Sequence, residues 1–271
     1  MEENVLTLNN AVIMPKIGFG TYQLPPSQTE KVVLDAISAG YRHIDTAQYY
    51  GNEHEIGLAV KRSGIPRDHF FITSKTATSG YAATKRGIDR SLKAFGFDYI
   101  DMMIIHWPTS DNSGTYRALV EAYHNKKVRA IGVSNFNIPQ IETLLKDFDV
   151  IPVVDQIETH VLWQQKRMHK YLVDHNIVHE SWSPFAQGMD DIFRNPTLTQ
   201  IARSHHKTVS QVILRFLLQS DVAVIPKTTN VQHMKENIDV FDFTLNSEEM
   251  QQIQTMDIRK SYTGWPSTMR E

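Results

Sequence analysis

Short apolar runs alternate along the chain with longer amphipathic segments. The apolar runs have the length of buried β-strands, and eight are predicted as strands: Ile17–Phe19, Tyr41–Ile44, Phe70–Thr73, Ile100–Ile105, Val128–Val133, Val153–Gln156, Ile177–Trp182 and Val222–Ile225. Between them apolar residues recur every three or four positions, as Val33, Ala36 and Ile37 do. This period is typical of helices with one buried face, predicted over Thr29–Ala39, Glu53–Arg62, Ala82–Phe95, Tyr116–Asn125, Pro139–Lys146, Gln165–His175, Leu198–Gln219 and Val231–Val240.

Eight strands that alternate with eight helices predict one closed parallel (β/α)₈ barrel, the TIM-barrel class of α/β fold. No Gly/Ser-rich or Pro-rich linker divides the chain, so residues 1–271 are predicted to form a single domain. A doubly wound sheet would show the same alternation. It is disfavoured because Gly18-Phe19-Gly20 is not followed by the third glycine of a dinucleotide-binding fingerprint.

Two segments lie outside this alternation. Near the start, Val5–Leu8 and Ala11–Met14 flank Asn9-Asn10, a pair that tolerates the positive φ of a tight turn, and they predict a β-hairpin that acts as a lid or plug. Near the end, Ser247–Met256 is predicted as a further helix with Ser247 as its N-cap. Only a short C-terminal tail follows that helix.

Composition and charge argue against several classes of protein. Hydrophobic residues make up 41% and charged residues 21%, which is typical of a soluble globular protein. Lys plus Arg total 28 against 30 Asp plus Glu, so at a net charge of -2 we expect no nucleic-acid partner and no membrane partner. The absence of cysteine excludes disulfides and a thiol nucleophile. The N-terminus does not resemble a signal peptide, and a cytoplasmic location is expected.

Three consecutive predicted strands are followed by an ionisable residue. Asp45 follows the second strand, Lys75 the third and His106 the fourth. Neighbouring strand ends meet on the catalytic face of a barrel, so these side chains are expected to converge there. Each alone could be a cap, a surface charge or a structural histidine, but three in succession favour a catalytic set. Tyr50 lies in the loop after Asp45, which can fold over the same face.

These residue types match the polarisation of a carbonyl group. A phenol has an ordinary pKa of about 10, and a neighbouring lysine ammonium is expected to lower the pKa of Tyr50 and make it a better acid. Asp45 would keep Lys75 charged and in place, and His106 would donate a hydrogen bond to the carbonyl oxygen. No nucleophilic Ser/His pair or metal cluster is evident in the sequence, so a hydride from a cofactor is the simplest attacking group.

Five stretches resemble the aldo-keto reductase family in order and spacing. They are Gly40–Glu53 (GYRHIDTAQYYGNE), Phe71–Lys75 (FITSK), Asp101–Pro108 (DMMIIHWP), Ala130–Phe136 (AIGVSNF) and Ile225–Phe243 (IPKTTNVQHMKENIDVFDF). The resemblance extends from the hairpin to about Leu245 and is greatest to short-tailed microbial members. It implies a (β/α)₈ barrel that reduces a small aldehyde or ketone to the alcohol. Tyr50 would be the general acid. Lys75 and Asp45 would tune its pKa, and His106 would orient the substrate.

The same resemblance implies a cleft for a reduced nicotinamide cofactor, with NADPH preferred and NADH possible. Ser134, Asn135 and Gln156 match the residues that bind the nicotinamide carboxamide. Trp182 matches the aromatic residue that stacks on the ring, usually a tyrosine, and Lys227 matches the cation at the 2′-phosphate. The other implied cofactor contacts are Gly20, Thr21, Tyr22, Asp45, Ser183, Phe185, Gln187, Thr228, Thr229, His233, Glu236 and Asn237. Among these, Ser134, Ser183 and Thr228 could instead be ordinary caps.

The chain departs from the family pattern around the substrate and the phosphate. Ala77 stands where a tryptophan often lines the substrate pocket, so a smaller wall is expected there. His233 stands where an arginine normally grips the 2′-phosphate, so we expect a weaker preference for NADPH unless this imidazole points into solvent. The substrate pocket is predicted from Tyr22, Tyr50, Ala77, His106 and Trp107, with Trp265 in the short tail as a further candidate.

Two alternative functions remain open. A metal-dependent hydrolase on the same barrel would need clustered ligands at the strand ends, but Gly18–Tyr22 contains no histidine. His205-His206 falls on a predicted helix, near its polar face, so we expect no metal. A nicotinamide-binding sensor would need the cofactor cleft but not Tyr50, so the complete catalytic set argues against it. The carbonyl substrate is not predicted by the sequence, and the resemblance implies a monomer.

Overall fold

Eight parallel strands form a barrel in the computed structural model, which describes residues 3–264 and Met269. Two further strands, β1 (Val5–Thr7) and β2 (Ile13–Pro15), pair as the predicted antiparallel hairpin. The barrel strands are β3 (Gly18–Gly20), β4 (His43–Asp45), β5 (Phe71–Thr76), β6 (Ile100–Ile105), β7 (Val128–Ser134), β8 (Val154–Glu158), β9 (Val178–Trp182) and β10 (Val222–Val224). They neighbour one another in chain order, and a parallel bridge between Ile17 and Val224 closes the ring. The predicted fold class is confirmed.

Helices surround the barrel and follow the predicted alternation closely. Their bounds are α1 (Pro26–Ser38), α2 (Glu53–Arg62), α3 (Tyr81–Phe95), α4 (Asn112–His124), α5 (Ile138–Asp147), α6 (Lys166–Asp174), α7 (Pro196–Ser204), α8 (Val209–Gln219), α9 (Val231–Ile238) and α10 (Ser247–Gln254). Across the described residues, none of these helices has the length and apolar character needed to cross a membrane.

The prediction of one helix over Leu198–Gln219 is wrong, because α7 and α8 are separate helices. His206 adopts a φ of 54° after α7 ends, a backbone conformation that a helix cannot contain. Thr208 then begins α8 with a capping box. Its side chain accepts from the Gln211 backbone N–H, and the Gln211 side chain accepts from the Thr208 backbone N–H. His205 and His206 therefore lie in a break and not on a helix face, and His205 Nε2 lies 2.9 Å from Glu249 Oε1.

The predicted N-cap of the last helix is also wrong by one residue. Asn246, and not Ser247, caps α10, because its side chain accepts from the backbone N–H groups of Glu248 and Glu249. The Glu249 side chain in turn accepts from the Asn246 backbone N–H at 2.9 Å. Asparagine satisfies two of the free N–H groups at the start of the helix, which explains its place at this position.

The inside of the barrel changes character from one end to the other. Successive side chains of a strand point to opposite faces, so one set faces the barrel axis and the other faces the helices. Residues such as Ile72, Met103 and Ile131 fill the layer between strands and helices. At the end where the strands begin, the axis is filled by an apolar cluster that includes the hairpin: Leu8, Met14, Phe71, Met102, Ile104, Ala130, Val153, Val154 and Ala223. The hairpin is therefore a plug.

Candidate active site

At the carboxyl ends of the strands the inward-facing positions are polar. Asp45 ends β4, Lys75 lies near the end of β5, and Gln156 lies on β8, all of them almost completely buried. His106 follows β6 directly. They occupy the same face of their strands as the apolar plug, but at the opposite end of the barrel. The predicted convergence of these strand ends is what the structure shows.

An ion pair forms the floor of the site. Lys75 Nζ donates to Asp45 Oδ1 and, at 3.0 Å, to the backbone oxygen of Thr46. The second carboxylate oxygen of Asp45 accepts from Gln156 Nε2 at 2.9 Å. A buried charge is stable only when it is paired and hydrogen-bonded, and these contacts provide both for Lys75 and Asp45.

A short 3-10 turn over Gln48–Tyr50 carries the phenol to this floor. Gly51 ends the turn with a φ of 67°, a conformation that glycine adopts without strain. Lys75 Nζ lies 5.4 Å from the centroid of the Tyr50 ring, and the His106 ring lies 5.6 Å from the same centroid. Tyr50 thus lies between the cation below it and the imidazole beside it.

The electrostatics of Tyr50 differ from the expectation that Lys75 lowers its pKa. Burial, the Asp45 carboxylate and the Tyr22 phenol together raise the pKa of Tyr50 well above its ordinary value. Lys75 does not lower the pKa of Tyr50 below its ordinary value. The phenol is therefore protonated at neutral pH, which is the state that a proton donor needs.

His106 is held neutral. Burial and, to a lesser extent, the Lys75 ammonium lower the pKa of His106 to about 2. Its Nδ1 is buried and has no hydrogen-bond partner among the described residues, which leaves Nε2 as the nitrogen open to the site. A neutral imidazole can donate one hydrogen bond but is not a cationic acid at physiological pH.

A cavity of about 1100 Å³ opens above these residues. Most of the predicted site residues line it, and the structure therefore brings together the following set: Gly20, Tyr22, Asp45, Tyr50, His106, Trp107, Ser134, Asn135, Gln156, Trp182, Ser183, Phe185, Gln187 and Lys227. Lys75 lies just beneath the cavity through its contact with Asp45. Trp265, a further predicted pocket residue, lies outside the described residues.

One wall of the cavity is a chain of hydrogen bonds between strands. Trp182 Nε1 donates to Asn135 Oδ1 at 3.0 Å, which fixes the indole at the end of β9. Asn135 donates to the backbone oxygen of His106 at 3.0 Å and to Ser134 Oγ at 2.9 Å. Ser134 Oγ donates to the backbone oxygen of Gln156 at 2.6 Å. Hydrogen bonds within the protein therefore fix the side chains of this wall without a bound ligand.

Several predicted contacts lie elsewhere. Thr21 is buried, and its hydroxyl donates to the backbone oxygen of Asp45. Ala77 is exposed, and its N–H donates to Gln48 Oε1 at 2.9 Å. The remaining residues that do not line the cavity belong to the predicted phosphate and adenine sites after β10: Thr228, Thr229, His233, Glu236 and Asn237. The wall predicted from Ala77 is therefore not part of this cavity.

Other residues line the cavity that the sequence did not single out. They are Gln23, Tyr49, Pro184, Gly188, Phe193, Ile225, Tyr262 and Thr263. Nearly all follow the carboxyl end of a barrel strand, which is the signal that could have found them. Tyr262 and Thr263 come instead from the C-terminal tail, which Glu158 holds in place by accepting from Thr263 Oγ1 at 2.9 Å and from the Tyr262 N–H at 3.0 Å.

Comparison with known proteins agrees with this arrangement. Residues 16–258 match the model of the aldo/keto reductase family. The chain belongs to the aldo/keto reductase family. It is 40% identical over 268 residues to the 9,11-endoperoxide prostaglandin H2 reductase of Trypanosoma cruzi, covering 97% of this chain and 95% of that protein. It is 41% identical over 259 residues to the glyoxal reductase of Bacillus subtilis, covering 94% of this chain and 93% of that protein.

A solved structure extends the comparison to three dimensions. The Bombyx mori aldo-keto reductase, crystallised in complex with NADP, superposes with a TM-score of 0.88 at 30% identity, covering 93% of this chain and 92% of that one. Family membership confirms the predicted class of enzyme, an NADP-dependent oxidoreductase, and NADPH agrees with the cofactor of that relative. Within residues 3–264 and Met269, no three His, Asp or Glu side chains are grouped so that they could hold a metal ion.

Proposed function

We propose that this enzyme reduces small aldehydes and ketones, with Tyr50 as the proton donor and NADPH as the source of hydride. The observation that carries the proposal is the placement of Tyr50 and His106 at the cavity floor, above the Lys75–Asp45 pair. The Tyr50 hydroxyl and a ring N–H of the neutral His106 then face the same small volume. Two donors that meet one carbonyl oxygen make its carbon electrophilic.

The residues around the cavity fit a nicotinamide cofactor. Gln156 lines the cavity, and its Oε1 accepts no hydrogen bond from the described residues, so it can accept one from a carboxamide. Trp182 offers an indole face that its bond to Asn135 keeps in position. Lys227, an exposed side chain that lines the cavity after β10, offers a cation for a phosphate. When bound, the cofactor supplies the hydride.

Each side chain of the floor then has a defined task. His106, neutral, donates a hydrogen bond to the carbonyl oxygen and fixes the direction of approach. Tyr50 donates its proton to that oxygen as negative charge develops there. Lys75 stabilises the phenolate that remains, and Asp45 keeps the ammonium beneath it. Because the pKa of Tyr50 is raised in the resting protein, the proton stays on the phenol until the oxygen becomes basic.

The walls favour a small carbonyl compound with an apolar side. Tyr22, Tyr49 and Trp107 line the cavity near Tyr50, and the Tyr49 ring packs edge-on against Trp107 at 5.9 Å. The glyoxal reductase of Bacillus subtilis, at 41% identity, supports small dicarbonyls as one substrate class. We propose aldehydes and dicarbonyls as the first compounds to assay.

The test is NADPH oxidation, followed by absorbance, across glyoxal, methylglyoxal, an aromatic aldehyde, a ketone and a keto acid. Turnover of at least one compound at rates that depend on Tyr50 is expected. Calorimetric binding of NADPH with no turnover on any compound would refute the proposal and would favour a sensor on the same barrel.

A further inference from the structure

The amide of Gln156 lies between two carboxylates. Its Nε2 donates to Asp45 Oδ2 at 2.9 Å and to Glu180 Oε2 at 2.7 Å, so both of its hydrogens are used. Asp45, paired with Lys75, can only accept hydrogen bonds, as can Glu180 when it is ionised. Burial and the Asp45 carboxylate raise the pKa of Glu180 to about 7, so Glu180 is ionised for part of the time at neutral pH. The amide nitrogen must therefore face into the barrel, and the carbonyl oxygen Oε1 is left for the cavity.

Glu180 is the part of this arrangement that the mechanism above does not use. It lies on β9 opposite Gln156 in the β8–β9 register, is completely buried, and does not line the cavity. Its other oxygen, Oε1, lies 4.0 Å from His43 Nδ1 and has no hydrogen-bond partner among the described residues. A buried carboxylate with an unused oxygen is costly to keep, which argues that its bond to Gln156 has a use.

Asp45 alone would fix the amide less firmly. The charge of Asp45 is shared with Lys75, and a single acceptor engages only one of the two amide hydrogens. With both acceptors present, rotation of the amide by half a turn would place Gln156 Oε1 against two carboxylates. Glu180 therefore adds to the cost of the orientation that would turn N–H groups towards the cavity, most of all when it is ionised.

We propose that Glu180 is a positioning residue that orients the Gln156 amide, so that Oε1 accepts a hydrogen bond from the carboxamide NH₂ of the nicotinamide cofactor. This inference rests on the proposed function. A flipped Gln156 would present a donor to that NH₂ group, and the two would repel each other. Glu180 thus acts on the cofactor through Gln156 and without touching it.

The test compares two cofactors and three variants by calorimetric titration. One ligand is NADP⁺, and the other is its acetylpyridine analogue, in which a methyl ketone replaces the carboxamide and removes the NH₂ donor. Glu180→Met fills the same space without an acceptor, whereas Glu180→Gln keeps an acceptor oxygen for Gln156. Asp155→Asn is the matched control, because it changes another completely buried carboxyl group that does not contact Gln156.

We expect Glu180→Met to raise the Kd for NADP⁺ by about tenfold, which corresponds to the loss of one hydrogen bond. The Kd for the analogue, which lacks the NH₂ donor, should rise by less than about twofold. Glu180→Gln should bind NADP⁺ as the wild type does, and Asp155→Asn should leave the ratio of the two Kd values unchanged. Thermal unfolding identifies variants that fail to fold, and if Glu180→Met is one of them, Glu180→Leu takes its place as the variant without an acceptor. Equal losses for both ligands in a folded variant would overturn the role of Glu180. Failure of the wild-type chain to bind either ligand would overturn the proposed function as well.

Discussion

Replacing Tyr50 by phenylalanine removes one hydroxyl from the cavity floor and should abolish most of the carbonyl reduction. The other groups nearby cannot substitute for it. With its pKa lowered to about 2, His106 is neutral at pH 7 and cannot act as a cationic acid. Lys75 is below the cavity and already donates to Asp45 and to a backbone oxygen. The expected loss is therefore the whole contribution of a general acid, about 10²- to 10⁴-fold in kcat/KM.

The assay is NADPH oxidation with the best carbonyl substrate, together with calorimetric titration of NADPH. Tyr50→Phe should bind NADPH as the wild type does and unfold at nearly the same temperature, because the Tyr50 hydroxyl makes no hydrogen bond to the described residues. Tyr123→Phe, on the outer helix α4, is the matched control and should keep full activity. A Tyr50→Phe variant that retains more than about a tenth of wild-type kcat/KM would show that another group donates the proton.

Three further outcomes are expected. Lys227→Met should raise the Kd for NADPH by about tenfold or more and leave that for NADH nearly unchanged, and equal changes would place the phosphate elsewhere. His233→Arg should increase the NADPH-to-NADH ratio of kcat/KM at pH 8, and an unchanged ratio would show that this exposed side chain does not reach the phosphate. Burial lowers the pKa of His43 from 6.5 to about 4, so the folded state binds fewer protons than the unfolded state in this interval. His43 should therefore lower the free energy of unfolding by on the order of 3 kcal/mol as the pH drops from 6.5 to 4, so the fall over this interval should be smaller in His43→Gln than in the wild type; an identical slope in both proteins would contradict this assignment.

The barrel was predictable from the sequence because its strands are apolar runs of nearly the right length, separated by helices with one apolar face. The break between α7 and α8 was not. Apolar residues continue at helical spacing on both sides of it, from Leu198 and Ile201 to Val212. The cue was the polar pair Thr208 and Gln211, which forms a capping box that overrides the periodicity.

The candidate site was predictable where its residues end strands and obscure where they depend on register or loops. Asp45 and His106 lie at strand ends, a position that topology alone makes significant. Glu180 lies between His179 and Ser181 in a predicted strand, and its contact with Gln156 depends on the register between two neighbouring strands, which the sequence does not specify. The loop after β9 has a left-handed backbone at non-glycine residues such as Ser183 and Gln187. Glycines usually mark such positions in a sequence, so the conformation of this loop could not be predicted.

The division of the barrel axis into an apolar end and a polar end separates two kinds of selection. Substitutions around Leu8, Met14 and Met102 are expected to change the stability of the fold, whereas substitutions at the opposite end are expected to change activity and substrate preference. Tyr22 and Tyr49, two aromatic residues at the mouth of the cavity, are exposed side chains of the loops after β3 and β4. Substitutions in those loops can therefore change the substrate preference with little effect on stability, because the apolar cluster that fills the barrel axis lies at the other end.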